Sequence, residues 1–319
     1  QAKPPPSCRQ NCNRSHLLRI LCMKTNAESH ARMNALMARA KSMPPVRCAV
    51  VHPCDKESLG GAMQSAKLGL IVPVLVGNEA RVRQVAQDAG IDISGAEIVD
   101  VAHSHAVAAK GAELAASGHV QMIMKGSLHT DELLAAIVGC PALRTGRRMS
   151  HVFRFEVPLY HKALLITDAA INIAPTLEEK ADIVQNAIDF AHIMGTACPK
   201  VAISAAVETV HSKMPATIDA AALCKMADRG QIKGGLLDSP LAFDNAISPE
   251  AVRIKGIHSP VAGDADIVLA PDLESGNMLA KQLEYLGGAD GAGIMLGARV
   301  PVALTSRADN ELARTTSAL

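Results

Sequence analysis

Tryptophan is absent from this 319-residue chain, and only two tyrosines and four phenylalanines occur, so aromatics make up 2% of it. That leaves no stacking platforms for single-stranded nucleic acid. An excess of one charge is lacking too. Lys+Arg is 32 and Asp+Glu is 31, so no net field draws nucleic acid. No apolar run approaches the ~20 residues that span a bilayer, which argues against a membrane partner. The start, QAKPPPSCRQ, has no charged-then-apolar secretory pattern. The eight cysteines, at 8, 12, 22, 48, 54, 140, 198 and 224, form no C-x-x-C pair, and a chain this long needs no disulfide staples. Reduced thiols and a cytoplasmic location are expected. Cys8, Cys12, His16 and Cys22 match no zinc spacing. P-loop, HExxH and GxSxG motifs are missing. The glycines of GGADGAGIMLGARV (287–300) precede a strand instead of following one, which does not suit a dinucleotide loop. His103 and His105 lack carboxylates at metal-binding spacing and read as a surface or turn pair.

What is present is an ordinary globular composition, 49% hydrophobic and 20% charged, with length for about two domains at ~100–200 residues each. Residues 1–43 stand apart: Pro4-Pro5-Pro6, many basic residues and one amphipathic stretch, AESHARMNALMARAK (27–41), read as a helix after a loose tail. From Val46 short apolar strands alternate with helices. The strands expected are 46–51, 71–76, 97–101, 120–124, 162–167, 200–204, 234–238, 266–270, 293–296 and 300–304. The helix over 176–194 is the clearest, with Thr176 and Glu179 as a capping box and Gly195 as its stop. Alternation of this kind implies an α/β fold with mainly parallel sheets covered on both faces. About ten strands suit two sheets better than one. Ligands of such sheets bind outside the carboxyl ends of strands.

Three strand ends carry chemistry. MIMKGSLHTDELLAAIV (122–138) runs from a strand through Lys125 and Gly126 to a helix start near Thr130, where free N–H groups and a dipole end favour an anion. LRTGRRMSHV (143–152) places Arg144, Arg147 and Arg148 before Ser150, and a guanidinium fork suits phosphate. VPVALTSRADN (300–310) ends a strand in Ser306, Arg307 and Asp309. Each has a plainer reading, as a turn or a solvated basic loop.

Six collinear segments, MKGSLHTDELL, RRMSHVF, LLITDAAINIAP, DSPLAFDNAIS, SPVAGDADIVLAPDLESGNMLAKQL and GARVPVALTSRAD, resemble the phosphate acetyltransferase/phosphate butyryltransferase family, over about residues 46–310. The likeness is closest to the acyltransferase part of bifunctional enoyl-CoA hydratase/phosphate acetyltransferase proteins. One departure is Ser239, where the family has Gly in its DGPLAFD-type segment. The resemblance implies two α/β/α domains of the isocitrate/isopropylmalate dehydrogenase type with an active-site cleft between them, usually in a homodimer. The division expected is a 1–43 extension, a first domain of 44–149 plus about 288–319, and a second of 150–287. The reaction implied is acyl-CoA + phosphate = acyl phosphate + CoA on a short acyl group, acetyl or butyryl, with no metal or bound cofactor and CoA as substrate. Catalytic roles fall on Ser306 and Arg307, with Asp309 available as base. Phosphate and CoA contacts fall on Lys125, Gly126, Thr130, Arg144, Arg147, Arg148, Ser150 and Asn277.

The chemistry asks for a held phosphate, a thiolate and a stabilised oxyanion. Arg307 with one arginine of the 144–148 cluster can grip phosphate, and Ser306 can donate to the oxyanion. The base is the difficulty. Moving a proton from a thiol near ~8.5 to a carboxylate near ~3.9 costs ~6 kcal/mol. No cysteine sits in a recognisable nucleophile setting, so direct transfer in a ternary complex is expected. Two other readings remain open: an NAD-dependent dehydrogenase of the related two-domain fold, and a non-catalytic acyl-CoA-binding subunit.

Overall fold

The computed structural model describes residues 31–304 and Ser317. Helix α1 covers 31–41. It is followed by β1 (Val46–Val51), α2 (Lys56–Lys67), β2 (Ile71–Gly77), α3 (Glu79–Ala89), β3 (Glu97–Asp100), α4 (Ser104–Ala116), β4 (Met122–Lys125) and α5 (Thr130–Gly139). A short 3-10 turn, Pro141–Leu143, leads to β5 (Ser150–Glu156) and β6 (Leu164–Thr167). Then come α6 (Leu177–Ile193), β7 (Lys200–Ile203), α7 (Pro215–Asp228), β8 (Leu236–Leu237), α8 (Phe243–Ile247), α9 (Pro249–Lys255), β9 (Ile267–Leu269), α10 (Leu273–Tyr285), β10 (Asp290–Leu296) and β11 (Val302–Ala303). The α/β alternation agrees with the sequence reading, and Thr176 and Glu179 do form the reciprocal capping box of α6.

The strands join into one sheet of eleven, ordered β3-β2-β1-β4-β11-β10-β5-β6-β9-β7-β8, instead of the two sheets the strand count suggested. The reason is a strand absent from those expected, β5, which begins within the arginine-rich stretch 143–152 and runs to Glu156. β5 pairs antiparallel with β10 over seven residues, from Asp290↔Glu156 to Leu296↔Ser150, and antiparallel with β6. β10 in turn runs antiparallel to β11. These reversals leave two parallel runs that point in opposite directions. β3, β2, β1, β4 and β11 share one carboxyl edge. β6, β9, β7 and β8 share the other.

Both faces are covered, as buried parallel strands require. On one face of the first run α2 and α3 pack around Leu59, Leu75 and Val82, and on the other α4 and α5 pack around Ile123, Leu133 and Ile137. The second run is flanked by α6 and α7, through Ile183, Ile188 and Leu223, and on its far face by Ala246 of α8 and Ala280 of α10. Five cysteines among the described residues are free, and Cys48 and Cys54 are buried. The Cys8–Cys22 group lies outside the described residues. Among them no helix is long and apolar enough to cross a membrane.

Helix α1 is docked. Arg32 Nε donates to Glu156 Oε2 at 2.6 Å, and Arg154 NH2 donates to Glu156 Oε1 at 2.6 Å, with the Glu156 side chain fully buried. Met37 and Ala40 pack against the α2–α3 cluster. Removing the charge from a buried carboxylate that holds two guanidiniums leaves them uncompensated, at a cost of about 3–5 kcal/mol. Glu156→Gln should therefore lose most of that in urea denaturation, and Arg32→Ala, whose side chain is partly exposed, clearly less. Equal and small losses would mean that α1 does not depend on this pair.

Candidate active site

The residues singled out in the sequence fall at opposite edges of the sheet. At the first carboxyl edge, β1 ends at Val51, just before His52, and β4 ends at Lys125. The next residue, Gly126, sits against β1 so closely that a Cβ on it would stand 2.3 Å from the His52 carbonyl oxygen and 2.5 Å from that of Val51. Gly126 and Ser127 continue the pairing by donating backbone N–H groups to Val51 O and His52 O. Lys125 is not a solvated lysine. Its side chain is buried, and Nζ donates to the carbonyls of Gly126 (3.2 Å) and Leu128 (3.4 Å). Thr130 opens α5, whose N-cap residue His129 makes no side-chain capping bond among the described residues; Asp131 and Glu132 fill its first turn. β11 lies beside β4, with Ala303 opposite Met124. The chain then continues to Ser306, Arg307 and Asp309, which lie outside the described residues.

At the opposite edge a second group converges on Asp168, which is 3% exposed. Its Oδ1 accepts from the backbone N–H of Ala170 (2.9 Å) and Ile171 (3.0 Å), and its Oδ2 from His151 N (3.2 Å) and Asn172 Nδ2. Asn172 Oδ1 accepts from Arg148 Nε at 2.7 Å, and Arg148 NH1 pairs with Glu179 at 2.9 Å. Asn186 Nδ2 donates to Ser150 Oγ and Arg148 O, both at 2.9 Å. Asn277 Nδ2 donates to Ala169 O at 3.2 Å. Gly276 is required here, since a Cβ on it would come within 2.6 Å of Asp168 O. So Arg148, Ser150 and Asn277 come together, whereas Arg144 donates to Val138 O and Arg147 pairs with Asp189 on the outer surface of α6. A cavity of about 780 Å³ opens at this edge, lined by Lys180, Ser204, Pro215, Asp219 and Asp272.

Comparison with known proteins decides what these residues belong to. Residues 105–314 match the family described as phosphate acetyl/butaryl transferase. A phosphate acetyltransferase of Rhizobium meliloti is 57% identical over 90% of this chain and 91% of its own length. A phosphate butyryltransferase of Clostridium acetobutylicum is 41% identical over 87% and 92%. The crystal structure of a branched-chain phosphotransacylase from Enterococcus faecalis superposes with a TM-score of 0.75 at 30% identity, covering 85% of this chain and 96% of that one. The chain belongs to the phosphate acetyl/butyryl transferase family. A 4-hydroxythreonine-4-phosphate dehydrogenase from Klebsiella pneumoniae, at 14% identity and a TM-score of 0.53, shares the fold alone.

Several residues of this family member were passed over in the sequence. Asp168, Asn172 and His151 stand inside segments that carry the resemblance, but nothing local says that a buried carboxylate gathers them. Burial holds the His151 imidazole neutral, its pKa pushed down to about 4 against the raising effect of Asp168. Ser239, the departure from the family pattern, has a defined job. Its hydroxyl accepts from Ile203 N at 2.7 Å and donates to Asp238 O at 2.6 Å, tying the β8 loop to β7. Among the described residues no group of three or more His, Cys, Asp or Glu is placed to hold a metal ion.

Gly126 offers a direct test of the first edge. Gly126→Ala forces a Cβ into two backbone carbonyls that cannot swing away as a side chain would. The variant should fold with a lowered melting temperature and lose turnover as the Lys125–Ser127 loop lifts from β1. Gly139→Ala, whose new Cβ meets nothing within 4 Å, should leave turnover unchanged. Wild-type turnover in Gly126→Ala would separate this loop from the reaction.

Proposed function

We propose that this chain transfers a short acyl group between coenzyme A and phosphate, acyl-CoA + phosphate = acyl phosphate + CoA. The observation that carries this is 57% identity across nine-tenths of the chain to a phosphate acetyltransferase. Acetyl is favoured over butyryl, since four phosphate acetyltransferases stand at 56–57% and the phosphate butyryltransferases at 38–49%, with a further phosphate acetyltransferase at 38%. One methylene changes binding by only ~1–3 kcal/mol, so longer acyl groups should react more slowly without being refused.

In this reading the reacting groups meet at the first carboxyl edge, where β11, which Ser306 and Arg307 follow in sequence, lies beside β4, the strand that leads into the Lys125–Thr130 turn. Arg307 holds phosphate through its planar fork, Ser306 donates to the carbonyl oxygen as it gains charge, and transfer is direct within a ternary complex. Asp309 stands close in sequence to both. Arg148, held by Asn172 and Glu179, and Asn277 serve CoA or phosphate from the other edge, or act structurally through Asp168. The division into a 44–149 plus 288–319 domain and a 150–287 domain fits the two oppositely directed runs of strands. A homodimer working in the cytoplasm completes the reading.

The test is thiol release from acetyl-CoA on addition of phosphate, with no redox cofactor added, compared across C2 to C4 acyl chains. Release that requires phosphate and is fastest with acetyl is expected. A folded sample that reacts with no C2–C4 acyl-CoA in either direction contradicts the proposal. In the same assay Arg307→Lys, which keeps charge and loses the paired bonds, should retain CoA binding and lose about 10²–10³ in kcat.

A further inference from the structure

β1 and β4 are neighbours, but the helix after β1 packs on one face of the sheet and the helix after β4 on the other. The residues just past the two strand ends stay paired, Gly126 N with Val51 O and Ser127 N with His52 O, and they stand at the carboxyl edge, the place where sheets of this kind bind ligands. One side chain joins the two strand ends. His52 Nδ1 lies 2.8 Å from Ser127 Oγ, and Ser127 Oγ donates to the His52 carbonyl oxygen at 2.9 Å. With the hydroxyl proton directed at that carbonyl, Nδ1 carries the proton of the first contact, and in that tautomer the lone pair sits on Nε2. Among the described residues Nε2 has no hydrogen-bond partner. His52 also holds a φ of 60°, a left-handed conformation uncommon for a side-chain-bearing residue, and such positions gather at functional sites.

The surroundings of the ring, burial first, favour its neutral form. Partial burial and Arg81 of α3 lower its pKa below the ordinary 6.5, against the raising effects of Glu132 of α5 and of Asp55, the cap of α2. Strands stand ~4.8 Å apart and rise ~3.3 Å per residue, so the His52 backbone, two strands across and two residues beyond the level of Ala303, is about 12 Å from the end of β11. A side chain and a substrate thiol can close that gap.

We propose that His52 is the proton acceptor of the reaction, its Nε2 taking the coenzyme A thiol proton as sulfur attacks the carbonyl of the acyl phosphate. This rests on the acyl transfer proposed above. The C–S bond forms, the bond from the carbonyl carbon to the phosphate oxygen breaks, and the proton held on Nε2 passes to the departing phosphate. In the reverse direction phosphate attacks the thioester and Nε2–H returns the proton to the leaving thiolate. An imidazole lies about two units below a thiol, or somewhat more, where a carboxylate lies nearly five below, so the transfer is far less uphill. The role left to Asp309 is then electrostatic or structural.

The test is kcat/KM against pH for acetyl phosphate plus CoA, followed by thioester absorbance. His52→Asn is the first variant, since Asn tolerates a left-handed backbone, with His52→Gln beside it. Wild type should lose rate on acidification, with an apparent pKa below 6.5. The Asn variant, folded by circular dichroism, should be slowed by about 10² or more near pH 8 and should lack that acidic limb. Wild-type rates, or an unchanged acidic limb, in the folded variant overturn the proposal. Should neither variant fold, Ser127→Ala decides. Loss of the Nδ1–H acceptor must move the acidic limb, and an unmoved limb overturns the role of His52. A wild type with no turnover in either direction overturns the acyl transfer itself.

Discussion

The antiparallel ladder between β5 and β10 is the constraint on which the molecule rests. Seven paired residues splice two parallel runs into one sheet and set them pointing opposite ways. The splice demands small residues. Gly291 and Gly293 lie on β10 because a Cβ on either would come within 2.6 Å of Phe155 or of the His151 imidazole. In return Phe153 stacks against Phe155 and His151 packs edge-on to Phe153, giving the joint a rigid aromatic strip in a chain otherwise poor in such rings. Arg154 and Glu156, on the alternate positions of the same strand, face the other side and receive Arg32 of α1. One strand thus fixes the angle between the halves and anchors the helix that precedes the first of them.

Opposed strand directions have a functional consequence. Each half brings its loops to its own carboxyl edge, so the molecule offers two polar constellations instead of one. The Asp168 group is a closed network: a buried carboxylate takes four N–H donors, and the asparagine beside it holds Arg148. Saturation of that kind serves to hold loops in place. At the first edge the His52 imidazole keeps Nε2 unbonded among the described residues. Chemistry needs groups with capacity left to bind and exchange protons, which favours the first edge.

Much of the architecture could be read in the sequence because fully buried parallel strands are written as continuous apolar runs. VRCAVV, IVPVLV and KALLIT all became strands, and the capping residues of α6 marked its start. β5 escaped because Arg154 and Glu156 interrupt its pattern, and their burial is made tolerable by Arg32, 124 residues from Glu156. Strand direction was equally hidden, since it depends on pairings between distant segments, and so Arg148 and Lys125 read as neighbours at one phosphate site. His52 gave no signal at all. Its meaning comes from Ser127, 75 residues away, and from a backbone angle that no composition reveals.

The central claim is that acyl transfer takes place at the edge formed by β1, β4 and β11. A crystal structure of the chain with coenzyme A bound tests it most directly, with the sulfur located by its anomalous signal. The sulfur should lie over the Lys125–Thr130 turn, within reach of His52 Nε2. A sulfur seated instead in the cavity beside Asp272 and Lys180, at the opposite edge, would contradict it.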